Sequence, residues 1–200
     1  MPDKKAIIYQ CAKELFSAKG FKDTNVTDVT EMAGIAAGTF YLYYPSKEHL
    51  FMEIYLDEND KLKHAIMENV DTEGEPLQVI QQLMQQNMAG MAANPILREW
   101  YNKDVFRKIE EKYREKSGLE RVDFLYASFL EIIRKWQVQG KMRADIAAEM
   151  IMALFSAVIV IDLHKDEIGF QYFPQIQMHL TDFIMHGLTG DGVQSGTEEV

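Results

Sequence analysis

The sequence contains few of the residues that break helices or crosslink chains. Its 200 residues include 5 prolines, 12 glycines and 1 cysteine. The lone Cys11 excludes an intrachain disulfide and a zinc site built on several cysteines. The longest nearly unbroken apolar run, residues 150–161, is interrupted by Ser156 and is shorter than the roughly 18–20 residues of a membrane-spanning helix. The N-terminus is amphipathic and lacks a secretory core. We therefore expect a cytoplasmic protein with no membrane partner.

An excess of positive charge is also missing. The net charge is −10. Residues 1–50 carry six lysines and six acidic residues, so the whole negative charge lies in the rest of the chain. A neutral N-terminal quarter permits contact with DNA if its lysines face one way, although its electrostatic attraction to phosphates is weak.

Apolar residues recur at helical spacing over almost the whole chain, which predicts an all-α fold. Asp3 should cap a first helix that Gly20 ends, Thr27 should cap a short second helix, and Pro45 should end a third one. Longer helices are expected at about 46–70, 76–93, 119–139, 145–165 and 171–188, with two more within 96–117. Residues 189–200 are polar and rich in glycine and serine, which predicts a disordered tail.

The second and third predicted helices have the outline of a helix-turn-helix, with the turn at Gly34. The third helix is short enough to lie in a major groove, and its tyrosines can reach phosphates or base edges. Ala37 and Gly38 lack bulk, so free backbone N–H groups at the start of this helix can approach a phosphate closely. Lys47, just past Pro45, adds a positive charge at the start of the next helix.

The same residues carry a resemblance to a known family. The stretches VTDV at 26–29 and AGIAAGTFYLYYPSKEHLF at 33–51 resemble the DNA-binding head of the tetracycline-repressor (TetR) family. The likeness covers about residues 6–55, and the rest of the chain matches only in the number and length of its helices. The motif is specific, because a glycine-threonine-aromatic-tyrosine run followed by serine-lysine-glutamate rarely arises by chance.

The resemblance implies a homodimeric, ligand-responsive transcriptional repressor without enzymatic activity or cofactor. Residues 1–50 would form the DNA-binding head and residues 51–188 a helical body for effector binding and dimerisation. Its partners would be a double-stranded palindromic operator and a hydrophobic small molecule, and it would join the bacterial nucleoid when bound to DNA. The DNA contacts implied by position are Thr27, Ala37, Gly38, Thr39, Tyr41, Tyr43 and Lys47. Phe40 and Tyr44 would pack the recognition helix onto the first helix.

This chain departs from the family pattern at two positions. Ala36 and Ala37 stand where the family often has serine and lysine, so a helix cap and a positive hydrogen-bond donor are missing. For Ala37 we therefore expect an apolar contact with a thymine methyl group in place of hydrogen bonds to guanine.

The last predicted helices carry more apolar surface than one monomer core requires. The helix at about 145–165 is apolar nearly all round, and the last one has a near-heptad apolar stripe. A four-helix bundle built from these two helices of each subunit would bury both, and a two-fold dimer also suits two DNA half-sites. The predicted dimer face consists of Phe173, Ile176, Leu180, Phe183 and Ile184.

The middle of the chain is rich in methionine and aromatic residues, which suits a pocket for a hydrophobic effector. The candidate lining residues are Met84, Met88, Met91, Trp100, Tyr101, Phe106, Phe124, Trp136, Leu154 and Val158. Arg98, Asn102 and His164 could orient a ligand. For each of these residues, ordinary core packing is the competing interpretation.

Two other function classes remain open. A helical carrier or sensor of hydrophobic molecules would have the same body but no need for an intact helix-turn-helix. An enzyme has little support, because no glycine-rich phosphate loop or nucleophile elbow occurs. His179, Asp182 and His186 lie on one helical face and could bind a metal, but solvated histidines are the simpler interpretation, so we predict no metal site.

Overall fold

The structure, a computed structural model, describes residues 3–115 and 123–190. Within these ranges the chain forms α-helices and no strand, which confirms the all-α prediction. The helices are α1 (Lys4–Lys19), α2 (Val26–Met32), α3 (Ala37–Tyr41), α4 (Lys47–Asn69), α5 (Pro76–Ala93), α6 (Pro95–Arg98), α7 (Lys103–Glu115), α8 (Asp123–Val138), α9 (Ala148–Ile161), α10 (Lys165–Ile168) and α11 (Gln175–Thr189). Most of the predicted tail, residues 191–200, lies outside the described residues. Every helix in the described ranges is too short or too polar to cross a membrane.

The ends of α1 lie where the sequence predicts them. The Asp3 carboxylate accepts a hydrogen bond from the Lys5 backbone N–H at 2.9 Å, which caps the first turn. At the other end Gly20 has φ +82°, a conformation that side chains disfavour, and its N–H donates to the Phe16 carbonyl at 3.0 Å.

The last helix begins later than the sequence predicts. Helix α11 begins at Gln175, after a short 3₁₀ turn at Phe170–Tyr172, and not near residue 171. Phe173 is extended, with φ −95° and ψ 142°. The ring of Pro174 disfavours a helical conformation in the residue before it, so the apolar pattern starts earlier than the helix does.

The described chain divides into two compact units. The first unit is Met1–Asn69 with Gln85–Arg121, and the second is Val70–Met84 with Val122–Val200. Packing therefore groups the N-terminal helices with α4, α6 and α7. The predicted boundary at residue 50 separates a DNA-binding head from an effector-binding and dimerisation body. This functional boundary stays a prediction.

The core of the first unit is aromatic. Phe16, Phe21 and Phe51 are buried, with ring centroids 5.1 Å apart for Phe16–Phe51 and 4.8 Å for Phe21–Phe51. Farther along α4, Tyr55 stacks on Trp100 at 5.3 Å. Such edge-to-face and stacked pairs stabilise the packing beyond their buried area. These contacts pack α1 against the start of α4, and the two short helices α2 and α3 lie between them in the sequence.

The core of the second unit forms among α8, α9 and α11. Trp136, Ile151 and Met185 are almost fully buried, one on each of these helices. The Arg143 backbone N–H donates to the Leu188 carbonyl at 2.9 Å and ties the loop before α9 to the end of α11. Other apolar side chains of α9 and α11 stay exposed.

Candidate nucleic-acid interface

Helices α2 and α3 form a compact helix-turn-helix. Gly34 adopts φ +64° in the turn, a left-handed conformation suited to glycine. The Ile35 N–H reaches back to the Thr30 carbonyl at 3.0 Å, and the Ala33 N–H donates to the Val29 carbonyl at 2.9 Å. These bonds close α2 and set the direction of α3.

The prediction that Pro45 ends the third helix is wrong, because α3 ends at Tyr41. The N–H groups of Leu42 and Tyr43 donate to carbonyl groups three residues back, which tightens the last turn.

One side of α3 is anchored in the first unit. Phe40 and Tyr44 are buried, as the resemblance implies, and their ring centroids lie 5.9 Å apart. The Tyr44 hydroxyl donates to Glu53 on α4 at 3.2 Å, and Lys5 of α1 lies 5.4 Å above the Tyr44 ring. Burial, followed by the charge of Glu53, raises the pKa of the Tyr44 phenol, so it stays neutral. Helix α3 is thereby held against both α1 and α4.

The other side of α3 faces outward. Tyr41 is 57% exposed, Leu42 81% and Tyr43 40%. Ala37 and Gly38 are also exposed, and Thr39 is half-buried. This outward surface, residues 36–39 and 41–43, is called the α3 face below. It offers three hydroxyl groups, small residues and one large aliphatic side chain.

The cap of α2 differs from the prediction. Asn25 is the N-cap residue, and the Asp28 carboxylate accepts its backbone N–H at 2.7 Å. Hydrogen bonds from Lys19 and then from Asn25 lower the pKa of Asp28. The prediction that Thr27 caps α2 is wrong, because Thr27 lies within the helix. Its side chain is exposed and stays a predicted DNA contact.

Lys47 has an internal role that the sequence does not reveal. Its ammonium group donates to the carbonyl oxygens of Phe21 at 2.9 Å and Thr24 at 2.7 Å. It also lies 4.3 Å from the centroid of the Phe21 ring. Burial lowers the pKa of Lys47. A contact between Lys47 and the DNA backbone stays a prediction.

Glu58 on α4 connects its own helix to α1 and to the start of α6. Its carboxylate accepts hydrogen bonds from Lys13 of α1 at 2.7 Å, from Lys61 of α4 at 2.9 Å and from Asn94 at 3.0 Å. Asn94 also caps α6, since its side chain accepts the Ile96 N–H at 2.9 Å. Sequence reasoning missed Glu58, because a single glutamate on a charged helix face carries no distinguishing signal.

The candidate pocket residues fall in both compact units. Met88, Met91, Trp100, Tyr101 and Phe106 belong to the first, and Met84, Trp136, Leu154 and Val158 to the second. In the first unit Trp100 packs edge-on against Phe106 at 4.9 Å. The side chain of Phe124 lies outside the described part of the chain. That these residues line an effector pocket stays a prediction.

Three polar residues of the body are predicted to orient a ligand. Arg98 is exposed. Asn102 donates to Glu99 at 2.8 Å, and His164 lies 3.2 Å from Glu167. Their role in orienting a ligand also stays a prediction.

Most of the predicted dimer face lies on an open side of the second unit. Phe183 is 69% exposed on α11, and Ile159 on α9 is 61% exposed. Ile176, Leu180 and Phe183 line a groove of about 400 Å³ together with Gln171, Tyr172, Gln175 and His179. Phe173 differs, because it precedes α11 and is buried within its own unit.

The histidines of α11 make local contacts. The Nδ1–H of His186 donates to the Asp182 carbonyl oxygen at 2.8 Å, and His179 stacks against Phe183. Gln81 donates to the Asp182 carboxylate at 3.2 Å. In the described ranges, no three His, Cys, Asp or Glu side chains lie close enough to hold a metal ion.

Comparisons with known proteins agree with this geometry. Residues 8–54 match the family model for bacterial regulatory proteins of the tetR family. YuxN of Bacillus subtilis strain 168, an HTH-type transcriptional regulator, is 35% identical over 75 residues, which are 38% of this chain and 25% of YuxN. The HTH-type transcriptional repressor KstR2 of Mycolicibacterium smegmatis is 25% identical over 151 residues, or 72% of this chain and 70% of KstR2.

The likeness to solved structures extends over nearly the whole chain. FadR of Thermus thermophilus, a TetR-family transcriptional repressor in complex with lauroyl-CoA, superposes with a TM-score of 0.60 at 21% identity. The alignment covers 96% of this chain and 98% of FadR. At this identity the likeness shows the fold, a helix-turn-helix head followed by a helical body.

Proposed function

We propose that this chain, a member of the tetR family of bacterial regulatory proteins, is a repressor that binds a palindromic operator as a homodimer and is released by a hydrophobic ligand. The observation that carries the proposal is the α3 face. Thr39, Tyr41 and Tyr43 present hydroxyl groups on a short helix whose opposite side is anchored by buried Phe40 and Tyr44. A rigid helix with an exposed polar rim is what entry into a major groove requires.

Phosphate contacts should be few. The α3 face contains no charged side chain, and Lys47 already donates to two backbone carbonyl groups. Tyrosine and threonine hydroxyls can position the helix on the DNA backbone without releasing many counterions. Affinity should therefore depend less steeply on salt than for a strongly basic repressor such as the lac repressor, whose log–log slope is about −10.

A homodimer has the two-fold symmetry that a palindromic operator requires. The exposed apolar side chains of α9 and α11, including Ile159 and Phe183, form a surface that a second copy would bury. Two heads related by a two-fold axis match two inverted half-sites, about one helical turn apart or a multiple of it. A ligand that changes the spacing of the heads lowers affinity by preventing both from fitting at once.

The effector is expected to be largely hydrophobic, aromatic or long-chained, with at most one anionic group. The methionine and aromatic residues of the body offer apolar and sulfur surface, and Arg98 is the one cation among the polar candidates. FadR, which shares this fold, binds lauroyl-CoA. Its acyl chain supports the hydrophobic part of this expectation, whereas the several phosphate charges of its CoA part do not match the limit of one anionic group. We place the protein in the bacterial cytoplasm, at the nucleoid when it is bound to DNA.

Selection from a random duplex library with the full-length protein tests this function. The expected result is enrichment of one pseudo-palindromic sequence. Hydrophobic and polar compounds are then screened for thermal stabilisation, and the hits are titrated against the protein–operator complex. Hydrophobic hits should release the operator, and the operator should weaken ligand binding by the same factor.

Three results would each contradict a part of the proposal. Enrichment of no symmetric sequence would remove the DNA-binding role. Hydrophobic compounds that stabilise the protein without ever affecting DNA binding would favour a carrier or sensor. If only strongly polar compounds released DNA, the expected chemistry of the effector would be wrong.

A further inference from the structure

Leu42 is the most outward-facing side chain of the helix-turn-helix among the large apolar residues described. It is 81% exposed and stands between Tyr41 and Tyr43 at the C-terminal end of α3. Its backbone is still helical, with φ −72° and ψ −22°. Burying an aliphatic side chain is favourable, so a leucine held in water at a recognition surface gains free energy if a partner covers it.

The surface of α3 next to Leu42 is formed by Gly38, which has no side chain. Gly38 precedes Leu42 by four residues, so the two positions lie on the same side of the helix. Apart from its two neighbours and the backbone of its own helix, no atom lies within 4 Å of the place where a Cβ atom at Gly38 would stand, so the space there is open. A base edge can therefore approach the backbone of α3 at Gly38 and contact the Leu42 side chain at the same time.

The chemistry of the α3 face limits how it can read a base. Residues 36–43 contain no arginine, lysine, asparagine, glutamine, aspartate or glutamate. The bidentate hydrogen bonds that identify guanine or adenine are thus unavailable from this helix. The tyrosine and threonine hydroxyls serve either phosphates or single hydrogen bonds, which discriminate poorly. In the major groove the one apolar group that differs between base pairs is the C5-methyl group of thymine.

We infer that Leu42 is a specificity-determining residue that recognises a thymine methyl group in each operator half-site. Because Gly38 has no side chain, the base can approach the helix closely enough for this contact. This inference rests on the proposed function and adds the chemistry that the operator must present. The Leu42 side chain and the thymine methyl group bury each other, and the preferred base pair is set by this apolar contact.

The test uses the full-length protein and the symmetric duplex enriched from the random library. Each thymine is replaced in turn by deoxyuridine, which removes only the methyl group and keeps every hydrogen-bonding group. At the symmetry-related pair of positions that Leu42 contacts, affinity should fall about fourfold for each methyl group removed. Leu42→Ala should weaken binding to the thymine duplex and abolish this sensitivity at the same positions.

Val138→Ala is the matched control, because Val138 is 89% exposed and lies in the second unit. It should leave both affinity and methyl sensitivity unchanged. Thermal unfolding of all variants checks that they remain folded, which the exposure of both side chains favours.

The inference is overturned if every deoxyuridine duplex binds like its thymine parent. It is also overturned if Leu42→Ala retains the full sensitivity, since another residue then reads the methyl group. In both cases the operator still binds, so the proposed function survives. A library that yields no symmetric duplex would overturn the proposed function and this inference together.

Discussion

The side-chain nitrogen of Lys47 lies 2.7 Å from the carbonyl oxygen of Thr24. This bond, with its partner to the Phe21 carbonyl, attaches the start of α4 to the loop between α1 and α2. The loop leads directly into the helix-turn-helix. Lys47, which the sequence predicts to contact the DNA backbone, therefore also connects α4 to the loop that leads into the helix-turn-helix.

Replacing Lys47 with methionine should destabilise the protein by about 1–3 kcal/mol, because two carbonyl groups lose a charged donor. Lys22→Met is the control, since Lys22 is exposed and its nearest acidic partner, Asp104, is 3.8 Å away. Urea denaturation measures both. Equal stability of the two variants would contradict the internal role of Lys47. A phosphate contact would show separately, as a salt slope reduced by about 1.

Tyr41→Phe should lower affinity for the enriched operator about two- to tenfold while leaving stability unchanged, because it removes one exposed hydroxyl group. Val138→Ala is the control, because Val138 is 89% exposed, lies in the second unit and is not among the residues that line the α11 groove. Fluorescence anisotropy with labelled operator measures the effect. Wild-type affinity in Tyr41→Phe would place the hydroxyl outside the DNA contact.

The pH dependence of stability should report on Glu58. Burial alone would raise its pKa, but hydrogen bonds from Lys13, Lys61 and Asn94 outweigh it and lower the pKa from 4.5 to about 2. Because the folded-state pKa lies below the unfolded one, its contribution is fully present above about pH 4.5 and is lost as the pH falls toward 2. Glu58→Gln should therefore cost about 2–3 kcal/mol near pH 7.

The difference in unfolding free energy between wild type and Glu58→Gln should shrink between about pH 4.5 and pH 2. Glu75→Gln is the control, because Glu75 is 64% exposed in its pair with Lys141 and should change stability little. Parallel pH curves for wild type and Glu58→Gln would show that the three donors do not stabilise the charged form.

Phe183→Glu should dissociate the proposed dimer into monomers, since it places a charge on the apolar face of α11 that a second copy would bury. Val138→Glu adds the same charge at an exposed position on α8 and should leave the dimer intact. Sedimentation velocity distinguishes the two species. A dimer that persists in Phe183→Glu would move the interface to another surface.

Much of the fold was accessible from the sequence, because helix signals are local. Asp3 and Gly20 bound α1 where their capping chemistry predicts. At α2, three residues in a short stretch, Thr24, Asn25 and Thr27, can all cap a helix. The outcome there depends on Asp28 reaching back to Asn25.

The site was predictable only in part. Its motif identifies α3, and the buried Phe40 and Tyr44 follow from that. The donors and acceptors around Lys47 and Glu58 come from helices distant in sequence, so no local pattern reveals them. Methionine and aromatic stripes look the same in a packed core and in a ligand pocket, which is why the pocket residues stay a prediction.

The central claim is that the α3 face enters DNA, and Gly38→Ala tests it most directly. Alanine favours a helix over glycine by about 0.5–1 kcal/mol, and its Cβ would occupy space that is open in the protein. We expect Gly38→Ala to unfold with the same free energy as wild type or a higher one, and to bind the enriched operator at least tenfold more weakly. Wild-type operator affinity in a stably folded Gly38→Ala protein would contradict the account.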